Sequence, residues 1–311
     1  MAQQVAIVDK LLSNVSSMYP VKGGIAEECL PVIQSKQDTG LLGEYGTDHL
    51  RIENTKIGGE GAYTRVRPIA RATSSYHVEG HGLEGIVTES DYRNVEDPFD
   101  AEEDQMINLT SKLLLGKEYD LASVINDTAI LTKNTTLSGT SQLNDYLNSD
   151  PLDVFLTARL SVKNYSGAIA DACIMPWEVF QVIKYHPQFL SALGYAHNRP
   201  GGVNRKEMAD ILEVKNLYVP EISYNSAKQG QTAVMAPVWG KNIVFAVLPT
   251  KAEKYQVSLG YLVNLLGRTK RRVYKTPTNN PPNGKSILVD DAYDMLISNV
   301  NAGYLIKNAT A

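Results

Sequence analysis

Val8, Leu11, Leu12, Val15 and Met18 recur at helical spacing and predict a short amphipathic helix over residues 4–18, ending near Pro20. An extended, punctuated lead-in, "VKGGIAEECLPVIQSKQDTG", follows. The pattern then changes to alternation. Leu50 and Ile52 alternate with Arg51 and Glu53, and Thr64 and Val66 with Arg65 and Arg67. Gly58-Gly59-Glu60-Gly61 between them reads as a turn. These segments predict a long polar hairpin, roughly residues 34–76, with few large apolar groups to bury. A hairpin of that kind is marginal in water alone, so its pattern implies a partner.

Alternation resumes where Tyr76 and Val78 oppose His77 and Glu79, a strand expected to continue through "IVTESDYRN". Asp100 then opens a helix, with Glu103 as the second half of a capping box. Met106, Leu109, Leu113, Leu121 and Val124 form its apolar stripe as far as Ile125. At 1.5 Å per residue such a helix is about 37 Å long. "TKNTTLSGTSQLNDYLNSDP" reads as a loop. A mixed region follows, with strand "AIADACIM", helix "PWEVFQVIKYHPQFLSAL" opened by Pro176 and interrupted at Pro187, helix "NRKEMADILEV", and strands "NLYVPEI" and "NIVFAVLP". "YQVSLGYLVNLL" and "RTKRRVYKT" precede a break at "TNNPPNGK", and short strands close the chain. The whole is an α+β pattern without internal repeats.

Charge and composition narrow the function classes. A formal net charge of −4 over 311 residues argues against a dedicated nucleic-acid binder, while leaving room for a local basic face. Tyrosine (17) outnumbers phenylalanine (5), which favours surfaces and interfaces. Cys29 and Cys173, with no CxxC, read as buried thiols of a reducing compartment. No stretch approaches the ~20 apolar residues of a membrane helix. The N-terminus lacks the basic and apolar regions of a signal peptide, so folding in a cytoplasm is expected.

Candidate chemistry is sparse. Gly80–Gly85, "GHGLEG", matches a dinucleotide fingerprint in form, but the residues after it are β-like and open no helix toward a pyrophosphate. His77 and His81 lie on a strand-turn segment, and neither HExxH nor a Cys/His quartet accompanies the five histidines. Glu102-Glu103 and Asp290-Asp291 are sequence neighbours that do not converge on one substrate atom. No catalytic, cofactor-binding or metal residue is expected, and the chain does not read as an enzyme. "RTKRR" is the one dense basic run. Arg268, Lys270, Arg271 and Arg272 are candidates for phosphate contact or for a subunit-facing strand.

The order of these pieces resembles the major capsid proteins of tailed bacteriophages with the Hong Kong 97-type fold. The polar hairpin, "YHVEGHGLEGIVTESDYRN" and "DPFDAEEDQMINLTSKLLLGKEYDLASVI" are similar to that family's E-loop, the strand after it and the spine helix. "IMPWEVFQVIKYHPQFLSALGY", "NRKEMADILEVKNLYVPEISYNSAKQG" and "VWGKNIVFAVLP" are similar to its A domain, and "NAGYLIKNA" to its closing P-domain strand. The resemblance covers essentially the whole chain. It implies an N-terminal arm (1–33), an E-loop (34–76), a P domain (77–140 and 283–311) and an A domain (141–282).

That resemblance implies a structural protein that assembles in the host cytoplasm as hexamers and pentamers into an icosahedral virion capsid around double-stranded DNA. Portal, separate scaffolding protein and a decoration protein are partners by the same token, with no membrane and no cofactor. The hairpin would lie across a neighbouring subunit. Glu44, Asp48, Arg51, Glu53, Lys56, Glu60, Arg65 and Arg67 would give it mixed charge for register on assembly. Some family members join a hairpin lysine to a neighbour's asparagine; Lys36 and Lys56, and Asn279, Asn280 and Asn283, are the residues available. An encapsulin-like nanocompartment shell is the alternative with the same fold. A soluble α/β enzyme using residues 170–250 is the alternative of another class, and it wants a nucleophile–base pair that the sequence does not offer.

Overall fold

A computed structural model describes residues 7–19, 23–44, 47–57, 63–66, 72–94, 100–194, 201–253, 256–266, 271–278 and 283–311. Its first sheet is built on one long strand, β14 (Gly284–Ile297). β13 (Arg271–Thr278) and β5 (Glu79–Thr88) pair with the first part of β14 from opposite edges, both antiparallel. The last residues of β14 pair with β12 (Gly260–Leu265). β1 (Ile7–Val8) extends the sheet beyond β13, and β2 (Val32–Ser35) runs parallel to β12. Short strands were expected here. Partners along both edges satisfy the backbone groups of β14 and let it run for 14 residues.

α1 (Lys10–Met18) and α3 (Ala101–Ile125) cover this sheet. Asp9 caps α1 by accepting from the Leu11 and Leu12 N–H groups. Leu12, Ser13 and Ser16 turn inward, whereas Leu11 is exposed. α3 spans the expected residues, and Met106, Leu109, Leu113 and Leu121 of its expected stripe are buried. Asp100 caps α3 through the Glu102 N–H, but Glu103 is exposed and Glu102 is the acid that turns inward. "GHGLEG" lies inside β5. A Cβ at Gly85 would meet the side-chain amide of Gln105 on α3, so the glycine leaves room for that side chain. The strand expected over "ESDYRN" is instead α2 (Glu89–Asn94). The Asp91 carboxylate accepts from both the N–H and the hydroxyl of Thr88, and that turns the chain out of β5.

The second sheet has the order β6 (Asn134–Thr136), β15 (Gly303–Lys307), β11 (Ile243–Ala246), β7 (Ala172–Ile174), β8 (Asn216–Tyr218). Its outer pairs are parallel and its inner pairs antiparallel. α4 (Pro151–Ser166) packs on β11 and β15. This helix was not expected, although its ends carry ordinary signals. Asp150 accepts from the Asp153 N–H, Pro151 occupies the first turn, and Gly167 closes it at φ 73°. α5 (Trp177–Ile183) and α6 (Pro187–Ala192) lie on either side of the expected break. α7 (Arg205–Ile211) starts with a capping box between Asn204 and Glu207. β9 (Ser223–Asn225) and β10 (Met235–Pro237) form a hairpin.

The larger core fills the second sheet and reaches the C-terminal half of α3. A smaller one, including Leu12, Val87, Met106, Val273, Ile287 and Val289, sits beneath α1 and α3. Cys29 and Cys173 are free thiols in the larger core, and burial pushes both thiols up. Strand pairing crosses the expected boundary at residue 282. β12 and β13 belong with β14, while β15 joins the second sheet.

Candidate assembly surface

The polar hairpin is fastened at its root and open beyond it. β3 (Thr39–Glu44) pairs antiparallel with β4 (Ala72–His77), in register from Thr39 opposite His77 to Glu44 opposite Ala72. The Tyr76 hydroxyl meets Ser35 Oγ at 2.7 Å, and its ring covers Gly40, where a Cβ would collide with it. The His77 N–H donates to Asp294 on β14 at 2.8 Å. Past this root a 3-10 turn spans Thr47–Leu50, and the described residues 51–57 and 63–66 form no strand. The expected strands at Leu50–Glu53 and Thr64–Val66 are therefore replaced by a ladder nearer the body. Ile52 is 96% exposed and Tyr63 81%; Leu41, Leu50, Ile57 and Val66 are exposed as well.

Arg51, Glu53, Lys56 and Arg65 are exposed, and none forms an ion pair with another described residue. Glu44 ends β3 and Asp48 lies in the 3-10 turn. Glu60 and Arg67 fall outside the described residues. Lys36 and Asn283 are exposed, while Asn279 and Asn280 are again outside.

The basic run does not form one surface. Arg268 and Lys270 lie outside the described residues. Arg271 corrects the expectation for its own position, because its side chain is fully buried. Its guanidinium donates to Glu27 Oε1 at 2.8 Å and to the carbonyls of Ser16, Ser17 and Tyr19 at 2.8, 3.0 and 3.3 Å. Successive strand residues point to opposite faces. Arg271 therefore turns in, and Arg272, half-buried, points to the other face.

Arg271 is part of a buried ionic cluster that sequence reasoning missed. Lys117 Nζ on α3 lies 3.2 Å from Asp291 and 3.9 Å from Glu27, and stands 4.4 Å from the centre of the Tyr293 ring. Two cations thus face two carboxylates. Next to Lys117, Glu118 accepts from the Ile25 and Ala26 N–H groups at 2.9 and 2.7 Å and from Trp239 Nε1 at 2.6 Å. Burial pushes the Glu118 carboxyl up against the pull of these donors. The signal was a Lys-Glu pair inside an apolar helix stripe. α3 thereby holds the segment after α1 against the body.

Two of the histidines serve packing: His81 stacks on Tyr293 at 4.3 Å, and His186 meets Tyr146 edge-on at 5.4 Å. Among the described residues no group of His, Cys, Asp and Glu is placed to hold a metal ion. None of their helices is long and apolar enough to cross a membrane.

The molecule thus combines a body fixed by its own core with a polar extension whose apolar side chains are left in water. No family model matches the chain. The major capsid protein of Pseudomonas phage JBD67 is 23% identical to it over 310 residues, covering 98% of this chain and 97% of the relative. Over nearly its full length the chain is similar to a phage major capsid protein. A phage-related protein from Bordetella bronchiseptica RB50 shares the fold at a TM-score of 0.74 and 20% identity, covering 98% of this chain and 99% of that one. The capsid of cyanophage P-SCSP1u follows at 0.62 and 10% identity, covering 99% and 91%.

Proposed function

We propose that many copies of this chain close into an icosahedral shell around double-stranded phage DNA, as a structural and not a catalytic component. The observation that carries this reading is the exposed hairpin. Leu50, Ile52, Ile57, Tyr63 and Val66 are left in water while the cores close without them. In the reading, the hairpin is the E-loop, α3 the spine helix of a P domain that also takes residues 283–311, and residues 141–282 are the A domain. The hairpin lies across a neighbouring copy, with Arg51, Glu53, Lys56 and Arg65, together with Glu44, Asp48, Glu60 and Arg67, setting register by charge pairing. Hexamers and pentamers form by heterologous contacts whose rotation closes. Arg272, with Arg268 and Lys270, is the candidate for non-specific contact with the genome. Assembly takes place in the host cytoplasm, with portal and scaffolding proteins as partners.

Electron microscopy of the purified protein, with analysis of co-purified contents, tests the reading. Uniform shells with phage DNA support it. Shells that enclose a protein cargo favour the nanocompartment alternative, and small discrete oligomers oppose both. Replacing residues 50–57 by a Gly/Ser linker removes exposed side chains only, so thermal unfolding should stay near the parental value while closed shells disappear. Normal shells, or global unfolding, would overturn the role given to the hairpin.

A further inference from the structure

Helix α4 is apolar on two opposite faces. Phe155, Ala158 and Val162 are buried on the side that packs against β11 and β15. On the outer side Leu156 and Leu160 stand 50% and 47% exposed. Asp153 and Lys163, also exposed, flank them. Residues 153, 156, 160 and 163 step by three, four and three, which aligns them along one seam of the helix. Neither Asp153 nor Lys163 forms an ion pair with a described residue. A surface helix ordinarily carries one apolar face, and a second one marks a contact surface.

We propose that this seam is where α4 meets α4 of a second copy, antiparallel, about a twofold axis at the level of Ala158. The seam is its own complement under that rotation. Leu156 stands two residues before Ala158 and Leu160 two after it, so Leu156 faces Leu160 of the second copy. Asp153 and Lys163 lie five before and five after, so opposite charges also face each other. This reciprocity is what an isologous contact requires. One helix face buries less than the roughly 1,000 Å² of a stable interface. The contact is therefore transient between free chains and persists where other contacts hold the copies together. It deepens the shell reading, on which it rests for the presence of many copies.

Asp153 in the first turn and Lys163 in the last also suit the helix dipole, and charge reversal separates the two roles. The full-length chain carries Leu156→Cys in one preparation and Leu160→Cys in another. The two are mixed, and disulfide formation between chains is followed in the free protein and in shells. Cys29 and Cys173 are buried and do not compete. Asp153→Lys alone or Lys163→Asp alone should slow cross-linking about tenfold, by placing like charges opposite each other. The two reversals together should restore it, because Lys at 153 again faces Asp at 163. If only the dipole mattered, the double variant would be the worst of the three. A double variant no better than the singles, or singles that cross-link like the parent, would overturn the proposal. Cross-linking that follows this pattern in a parent that never forms shells would sink the shell reading and leave the α4 contact standing. Parent shells without the cross-link would do the opposite.

Discussion

Arg271 gives the sharpest test of how the body is held. Arg271→Met keeps the aliphatic stem and deletes the guanidinium. Four acceptors lose their donor: Glu27 Oε1 and the carbonyls of Ser16, Ser17 and Tyr19. Those carbonyls belong to the last turn of α1 and its cap, where helix carbonyls run out of intrahelical donors, although Ser16 O keeps the Tyr19 N–H at 3.3 Å. Removing one member of a buried ionic cluster costs about 3–5 kcal/mol, because its partners stay desolvated. Glu27 is 25% exposed and can regain water, and Lys117 stands 3.9 Å from it, so the lower end applies, about 3 kcal/mol. Against a domain stability of roughly 5–15 kcal/mol that is a large fraction. Urea unfolding of the unassembled chain would show it as a lower midpoint. Hydrogen exchange should also quicken over residues 10–19 before it does in β14. Arg272→Met, at a half-buried position, should stay within about 0.5 kcal/mol of the parent. An Arg271→Met chain of parental stability that retains less DNA would refute the clamp and return Arg271 to the surface.

Two further outcomes follow from α3. Leu113 is 6% exposed, so Leu113→Ala should lower stability by about 2–5 kcal/mol in urea unfolding; a loss under about 1 kcal/mol would put its side chain in solvent. Glu102 contributes to the acid dependence beside Asp9, which shares Lys275 and is also held low: burial alone would raise the Glu102 carboxyl, but Lys275, Lys285 and the Tyr92 hydroxyl bring it down to about 2. Its folded value lies below its unfolded one, near 4.3, so its contribution is complete above about pH 4.3 and is lost as pH falls toward about 2. Glu102→Gln should flatten stability across that window, and an unchanged pH profile would refute the assignment.

Most elements were legible because local signals and tertiary demands agree. The stripe of α3, the proline that separates α5 from α6 and the Asn204 cap of α7 all act within a turn or two of chain. The failures share a cause. α4 was hidden because its outer face is apolar too, which blurs the helical period, and because its Asp150-Pro151 start ends a Ser/Asn-rich loop. The inward turn of Arg271 needs knowledge of which face of β13 is covered, and that is fixed by α1, more than 250 residues earlier in the chain. The Lys117–Asp291 pair is likewise non-local, at a separation of 174 residues. The hairpin was legible as polar and unsupported. Its pairing was misplaced toward the tip because alternation alone does not say where a ladder finds a neighbour.

Polar residues are divided between two tasks in this chain, and the division bears on how a shell could form without trapping errors. Inside the body, charges are paired and fixed: Arg271, Lys117, Glu27 and Asp291 neutralise one another, so the segment after α1 is registered before any second copy arrives. In the hairpin, the described charges Arg51, Glu53, Lys56 and Arg65 stand unpaired with other described residues, beside exposed apolar groups. Each such apolar side chain contributes at most about 1.5–3 kcal/mol when buried, and ordering the hairpin and docking two chains take much of that back. Any single contact is then weak enough to be broken and remade. Only the closing of many contacts at once makes the assembly persist. A more apolar hairpin would bind neighbours faster than it could be corrected, and one without Ile52, Ile57 and Val66 would have nothing to bury. The observed mixture lies between these limits.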